Sequence, residues 1–542
     1  MLVIWASSEL SPPLNRLLEN LKMERRTFLK RSAVSGVGMT LGGMQEAARA
    51  QQPAATVKTG KIKGIFVVAP STIEVGKEFD VSLKMLTDPF HVRLNAFTRG
   101  YPTVSSSTSF SFRFFEGNGK LEWHYRSEVP DRWLGTLQIS SDSDYRGPSS
   151  ICFADVPGPY PHDGRPIGKV GPIQFTRPGV HFITFRDPRS GVEQISNPIY
   201  VKSKESPEDL YWGDIHGHTL LTDGVRSPEE YYYFGRDEAF LDICALSDHP
   251  EFYLTDPMWH YLTEVTNAFN EPGRFVTLQA FEWTHHRLGH RCLYFPSDKV
   301  PCIRSDDPEY NTVEAMYRFT KEHAGIAIPH HSATRQFPLV WSNVRDTEIE
   351  RLVEVYSLWG TSERPVGPGH IRTIGRGENP GSFYVDAMKK GLKLGLIASS
   401  DMHIGQPGHA ISHRQNKRVY GGLMGVWADK LDRAGVFDAM WNRRVYGTTG
   451  TRTILQFSMG NRPMGSTIEP SASVPVKVYA AAEVLITRAE IVYNGDVYKE
   501  CEPNDNELTW EFAENARQGS YYVRIMRQDA EEAWSSPVWV EG

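Results

Sequence analysis

The hydrophobic and polar positions along the chain fall into three regimes. From about Lys58 to Lys202, short β-rich runs such as Gly64–Val68, Phe79–Leu83 and Val180–Phe185 are broken by Pro and Gly, which predicts a β-sandwich-like module over 58–205. Within it, 101–165 is rich in Ser, Asp, Gly and Pro and reads as long loops or irregular hairpins. From about Tyr211 to Tyr446, apolar runs alternate with helical patterns. Leu241–Leu246, Phe275–Leu278, Gly325–Ile328, Leu352–Val355 and Leu394–Ala398 read as buried strands. Between them, Pro228–Glu238, Pro257–Phe269 and Thr312–His323 read as helices. This alternation predicts an α/β unit over 206–453, built as a β/α barrel or as a sheet faced by helices. After Thr453 strands return at Val476–Tyr479, Ala489–Tyr493, Tyr521–Ile525 and Val538–Val540, with Asn494-Gly495 as a hairpin turn; a closing β module over 454–542 is expected.

Composition narrows the class only a little. The 542 residues are 40% hydrophobic and 23% charged, ordinary for globular domains, and exclude collagen-like, coiled-coil and wholly disordered chains. Basic residues number 59 against 65 acidic, a net charge of -6, so no nucleic-acid partner is expected. The five cysteines form no CxxC pair, and neither a disulfide framework nor a Cys-type zinc site is indicated. Histidine is distributed unevenly: 14 of 18 lie between His216 and His413.

The N-terminal segment carries a different signal. Arg25 and Arg26 precede Phe28 and Leu29, an uncharged Gly- and Ala-rich stretch runs from Ser32 to Gln45, and Ala47-Ala-Arg-Ala50 follows. Residues 23–50 resemble a twin-arginine signal peptide, with Met23 as the expected start and 1–22 as a mis-assigned extension. The resemblance implies the twin-arginine export machinery as a partner and a periplasmic or extracellular location. The stretch is shorter than the roughly 20 apolar residues a bilayer span needs, so no stable membrane span is expected.

The central histidines sit where strands end. His216 and His218 close Tyr211-Trp-Gly-Asp-Ile-His-Gly-His218, and two residues apart on an extended end they point the same way. Asp223 follows on a turn, His249 ends Leu246-Ser-Asp-His249, and Glu282 ends Ala280-Phe-Glu-Trp283. His290 precedes the run Arg291–Phe295; His330 and His331 end the next strand; Asp401 and His403 repeat the two-apart pattern after Leu394–Ala398. Singly these signals are weak. Together, in a fold whose strand ends converge on one face, they cost several kcal/mol of desolvation unless metal ions compensate.

The order HxH…DG, SDH, Glu, His, strand-terminal His, DxH resembles the PHP (polymerase and histidinol phosphatase) family of metal-dependent phosphoesterases. The flanking β regions and the endings Gly519–Arg524 and Trp534–Val538 are similar to its large exported relatives of long-unknown function. The resemblance implies a distorted seven-stranded β/α barrel carrying three divalent transition metals, Zn, Mn or Fe. One metal would take His216, His218, Glu282 and Asp401; a second would share Glu282 and add His290 and His330; a third would take Asp223, His249 and His403. His331 is the alternative to His330 and otherwise faces the substrate, Asp248 orients a ligand, and His285 and His286 compete for the metal or, as the better reading, flank the pocket as loop residues.

Charge arithmetic agrees with the implied activity. Three divalent ions against Asp223, Glu282 and Asp401 leave an excess of positive charge, which suits a phosphoester, mono- or diester, cleaved by a metal-activated hydroxide. Arg287, Arg291 and Arg335 lie close to ligand motifs as candidate phosphate clamps. Two other readings remain at this point: an amidohydrolase-type hydrolase acting on a non-phosphate bond, and an envelope-polymer binding protein on the same scaffold.

Overall fold

A run from Asp209 to Asp214 forms the strand around which the molecule is organised, because both its faces are covered. The computed structural model describes residues 62–86, 104–105, 111–112, 133, 135–153, 167–203, 208–344, 346–414 and 417–542, and these lie within one compact unit, Thr59–Gly542. The twin-arginine segment lies outside the described residues.

The strand Asp209–Asp214 pairs in parallel with Ile243–Ala245, which pairs in parallel with Val276–His285. From there the sheet turns antiparallel, through Gly289–Phe295 and then Ile326–Pro329. On its other side Asp209–Asp214 runs antiparallel to Leu423–Ala428, which pairs with Val445–Thr448. A second sheet carries Leu352–Ser357 and, parallel to it, Gly395–Ala398. The expected strands of the α/β unit therefore form, as do the three expected helices, now bounded as Pro228–Tyr233 continuing into a π-helix Phe234–Glu238, Asp256–Ala268 and Val313–Glu322. Helices at Tyr384–Lys389 and Arg433–Trp441 complete the unit.

Among the described residues the protein is mostly β with few helices, and its strands fall into separate sheets, some mixed and some antiparallel, rather than one evenly alternating ring. Nor does the main sheet stop at residue 453: Val445–Thr448 pairs with Glu532–Ser535, which pairs with Gly519–Arg527. The closing β region thus extends the sheet that carries the site. Its spine is the 23-residue strand Ser471–Tyr493, into which two of the expected strands merge. The hairpin at Asn494-Gly495 is present, with φ of 49° and 90° at the two positions, the left-handed pair such a turn requires.

The N-terminal module packs its own core, including Val81, Leu83, Ile173, Phe185 and Ile199, between small sheets that are antiparallel except where Ile199–Lys202 runs parallel to Thr72–Glu74. Expected Val180–Phe185 is two strands, Gly179–His181 and Ile183–Arg186. The module meets the central strand through polar bonds: Trp212 Nε1 donates to Ser71 Oγ at 2.8 Å, and Leu210 N donates to Thr72 Oγ1 at 3.0 Å.

Candidate metal centre

The HxH and DxH segments lie side by side. Gly217 bridges in parallel with Met402, and His218 N donates to Met402 O at 2.9 Å, so His216 and His218 face Asp401 and His403 across two short extended pieces. Gly217 has no substitute here, since a Cβ would lie 2.0 Å from the Tyr231 hydroxyl. Asp401 holds φ at 50° and His331 at 33°, left-handed conformations that non-glycine residues seldom adopt and that occur at functional sites.

The expected ligands come together, and all but half-buried His403 are buried. His216, His218 and Asp401 form one group; Glu282, His290, His330 and His331 a second; His218, Asp223, His249 and His403 a third. Within each, the candidate atoms lie within 4.8 Å of one another. Glu282 stands at the middle, with Oε2 3.1 Å from His216 Nε2 and Oε1 3.0 Å from His330 Nε2 and 2.8 Å from His290 Nδ1. Asp401 Oδ1 lies 3.2 Å from His218 Nε2, and Asp223 Oδ2 lies 3.3 Å from His403 Nε2 and 3.8 Å from His249 Nε2.

Several of these close atoms are not hydrogen-bonded to each other. Glu282 Oε1, both ring nitrogens of His290 and of His330, and His218 Nδ1 are buried without a hydrogen-bond partner. Buried polar atoms are nearly always satisfied, so a knot of unsatisfied lone pairs converging within 3 Å fits a shared cation. The donor set of imidazole and carboxylate suits divalent transition metals.

Electrostatics within the cluster reflect its crowding. Burial would raise Glu282 and Asp401, but the surrounding imidazoles outweigh it and both carboxyls stand well below their usual range. Burial pushes His249 down to about 3 and His330 down to about 4, leaving neutral rings ready to ligate. For His403, burial is overcome by Asp223, and its pKa rises to about 9.

A shell of supporting residues fixes these groups. Asp248 accepts from Thr219 N at 2.8 Å and Thr219 Oγ1 at 2.9 Å, and also from Thr222 Oγ1, so it pins the turn between His218 and Asp223. Glu354 lies 2.9 Å from His216 Nδ1, and Thr284 Oγ1 lies 2.6 Å from His249 Nδ1. Glu354 was hidden inside an apolar run; its signal was a lone carboxylate in a strand otherwise buried. Cys292 belongs to no CxxC pair, yet it groups with His216, Glu282 and His330 through its register opposite Glu282.

Of the three candidate phosphate clamps, Arg291 is engaged elsewhere. Arg291 is fully buried and points away from His290, as alternation along a strand demands. Its guanidinium pairs with buried Glu350 and donates to Leu288 O at 2.6 Å, so it is a structural ion pair and not a phosphate clamp. Arg287 and Arg335 are exposed, Arg335 lying against Gly377. His285 ends the strand Val276–His285 rather than lying in a loop and stacks on Trp283, while His286 lies tilted against Phe337 and 5.9 Å from the His290 ring.

Comparison with known proteins gives a match to part of the chain and distant likenesses. Residues 233–363 and 398–482 match the family described as "Protein of unknown function (DUF3604)". Uncharacterized proteins of Chlamydia pneumoniae and Chlamydia muridarum are 26% and 27% identical, each over 68% of this chain. The match spans 63% of the length of each of these relatives. Among solved structures, a two-domain Bacteroides vulgatus protein described as containing a predicted PHP-like metal-dependent phosphoesterase is 12% identical. It covers 59% of this chain and 92% of its own, with a TM-score of 0.34. An amidohydrolase from Chromobacterium violaceum is 13% identical over 35% of this chain and 87% of its own, with a TM-score of 0.23. At these scores the chemistry rests on the site's own geometry.

Proposed function

We propose that the protein is a metal-dependent hydrolase of phosphoesters, with three divalent ions held by His216, His218, Glu282 and Asp401, by Glu282, His290 and His330, and by Asp223, His249 and His403. The single observation that carries this reading is the set of buried, unsatisfied donor atoms around Glu282. Divalent ions bound there supply Lewis-acid activation of water and neutralise charge on a phosphoryl group. The chain's own part is to hold the ligands rigidly: Glu354 and Thr284 orient two imidazoles, and Asp248 fixes the Asp223 turn. Burial of the cluster excludes bulk water and so strengthens every charge interaction in it.

The test is metal analysis of purified protein, followed by assays on a chromogenic phosphomonoester and phosphodiester before and after chelation. Bound transition metal and chelator-sensitive cleavage are expected, and Glu282→Gln should abolish turnover by disturbing two ions. Metal-free protein, or near-normal turnover of Glu282→Gln, would refute the assignment. Metal-loaded protein that cleaves an amide or lactone instead would select the amidohydrolase-type reading.

The export reading goes with it: the twin-arginine segment at 23–50 supports folding and metal loading before transport to the periplasm. No helix among the described residues is long and apolar enough to cross a membrane. Replacing Arg25 and Arg26 by Lys should retain the protein inside the cell; unchanged export would sink the idea.

A further inference from the structure

A sulfur donor stands in the cluster outside the expected ligand set. Cys292 is 2% exposed, and its Sγ lies in a group with ligand atoms of His216, Glu282 and His330, all within 4.8 Å of one another. Among the described residues no other cysteine joins such a group. Two features of the fold bring it there. Along Gly289–Phe295 the side chains alternate, so Cys292 shares a face with His290 while Arg291 and Leu293 face the other way. Across the sheet Cys292 is the register partner of Glu282, and directly opposite residues of an antiparallel pair have Cβ atoms about 4.5–5.5 Å apart.

The atoms around this sulfur are short of partners. Glu282 Oε1 and both ring nitrogens of His330 are buried without a hydrogen bond. The Cys292 thiol itself contacts the His216 ring through one hydrogen bond, a weak one for sulfur. A bound cation replaces such a bond: one metal–sulfur bond forms, and the thiol proton passes to solvent. Zinc holds sulfur at about 2.3 Å and imidazole nitrogen at about 2.0–2.1 Å, so ligand atoms up to about 4.4 Å apart can share one ion. The group therefore closes on an ion with only a small movement. Other uses of a cysteine do not fit. All five are free of disulfides, and a thiol this deeply buried is out of reach of solutes.

We infer that Cys292 is a thiolate ligand of the ion at His216 and Glu282, and that this one sulfur makes the position prefer zinc to manganese. Thiolate is a soft donor that favours zinc, whereas carboxylate and water suit manganese. The other two positions, built from imidazole and carboxylate alone, carry no such preference. This rests on the metal centre proposed above and deepens it: Cys292 decides which metal is held, not which bond is cut.

Cobalt(II) reports the ligands without any turnover. Titrated into the chelator-stripped full chain, cobalt should give a near-ultraviolet sulfur-to-cobalt charge-transfer band that saturates at one ion per chain, and Cys292→Ser should lose it. X-ray absorption of the wild type carrying one equivalent of zinc should show one sulfur at about 2.3 Å, a readout that stands even if Cys292→Ser does not fold. In competition between zinc and manganese, Cys292→Ser should lose at least about tenfold of the zinc preference, no less than loss of a supporting residue costs. No sulfur around zinc in the wild type, a band unchanged in Cys292→Ser, or an unaltered preference overturns the inference. Cleavage of the two chromogenic esters is scored apart from this. A sulfur-ligated ion in protein that cleaves neither ester leaves Cys292 a ligand and removes the phosphoesterase reading, and cleavage by protein whose ions carry no sulfur does the reverse.

Discussion

Glu354 Oε2 lies 2.9 Å from Nδ1 of His216, and this contact turns the other ring nitrogen toward Glu282. Burial lifts Glu354 to about 7, and the neighbouring His216 holds it from rising further. His216 in turn stands well above the usual imidazole value, because Asp401, Cys292 and Glu354 together outweigh its burial. One carboxylate, outside the ligand set, thereby decides which face of the first histidine is offered to a metal.

Glu354→Gln should keep the fold, as the amide oxygen still accepts from Nδ1. The loss of charge should weaken metal binding about 10–100-fold. Competition with a chromophoric chelator reads the affinity directly. An affinity equal to wild type would make Glu354 a bystander.

Gly217→Ala should damage the site more than the fold. The added methyl drives against the Tyr231 ring, whose hydroxyl lies 2.0 Å from the Cβ position. That hydroxyl is buried without a hydrogen-bond partner, so Tyr231→Phe alone should be neutral or slightly stabilising. Combining the two should recover part of the lost metal binding, which a double-mutant cycle measures. Strict additivity would show that the clash is not what harms Gly217→Ala.

Arg291→Met should destabilise the protein by about 3–5 kcal/mol, because it strands buried Glu350 without its partner. Denaturant unfolding checks the magnitude. KM for a phosphoester should stay close to wild type in the folded fraction, whereas a phosphate clamp would raise it steeply.

Acid should weaken the join between the α/β unit and the closing β region. Buried Glu363 bonds to Arg524 and Tyr522, and although burial opposes its charge, Arg524 and Arg364 hold its pKa below the usual value. A depressed carboxyl contributes stability above its unfolded pKa of about 4.3 and loses it as pH falls through the folded value. Melting temperature should therefore fall more steeply below about pH 4 in wild type than in Glu363→Gln, which is weaker at neutral pH. Parallel pH profiles for the two proteins would contradict this.

Much of the site was legible because most of its ligands lie at or near strand ends. His330 follows Ile326–Pro329 directly and His249 lies four residues past Ile243–Ala245, and the two-apart pairs at His216 and Asp401 encode a shared face; Glu282 instead sits inside Val276–His285, three residues before its end. What stayed hidden depends on pairing between distant segments. Cys292 reaches the cluster through its register opposite Glu282, and Glu354 through a strand in another sheet. Arg291 misled for the converse reason: closeness to His290 in sequence places it on the opposite side of the strand. The continuity of the sheet past residue 453 rests on contact between Val445–Thr448 and Glu532–Ser535, which no local pattern announces.

That last pairing sets an order on synthesis. Until residues near Ser535 have left the ribosome, Val445–Thr448 presents an open edge to whatever extended chain is at hand. A nascent chain cut short anywhere in the closing region would carry a nearly complete metal-binding half beside an adhesive flank. Quality control of this protein is therefore a question of how long that flank stays bare, and chaperones that shield strand edges would act on it late in translation.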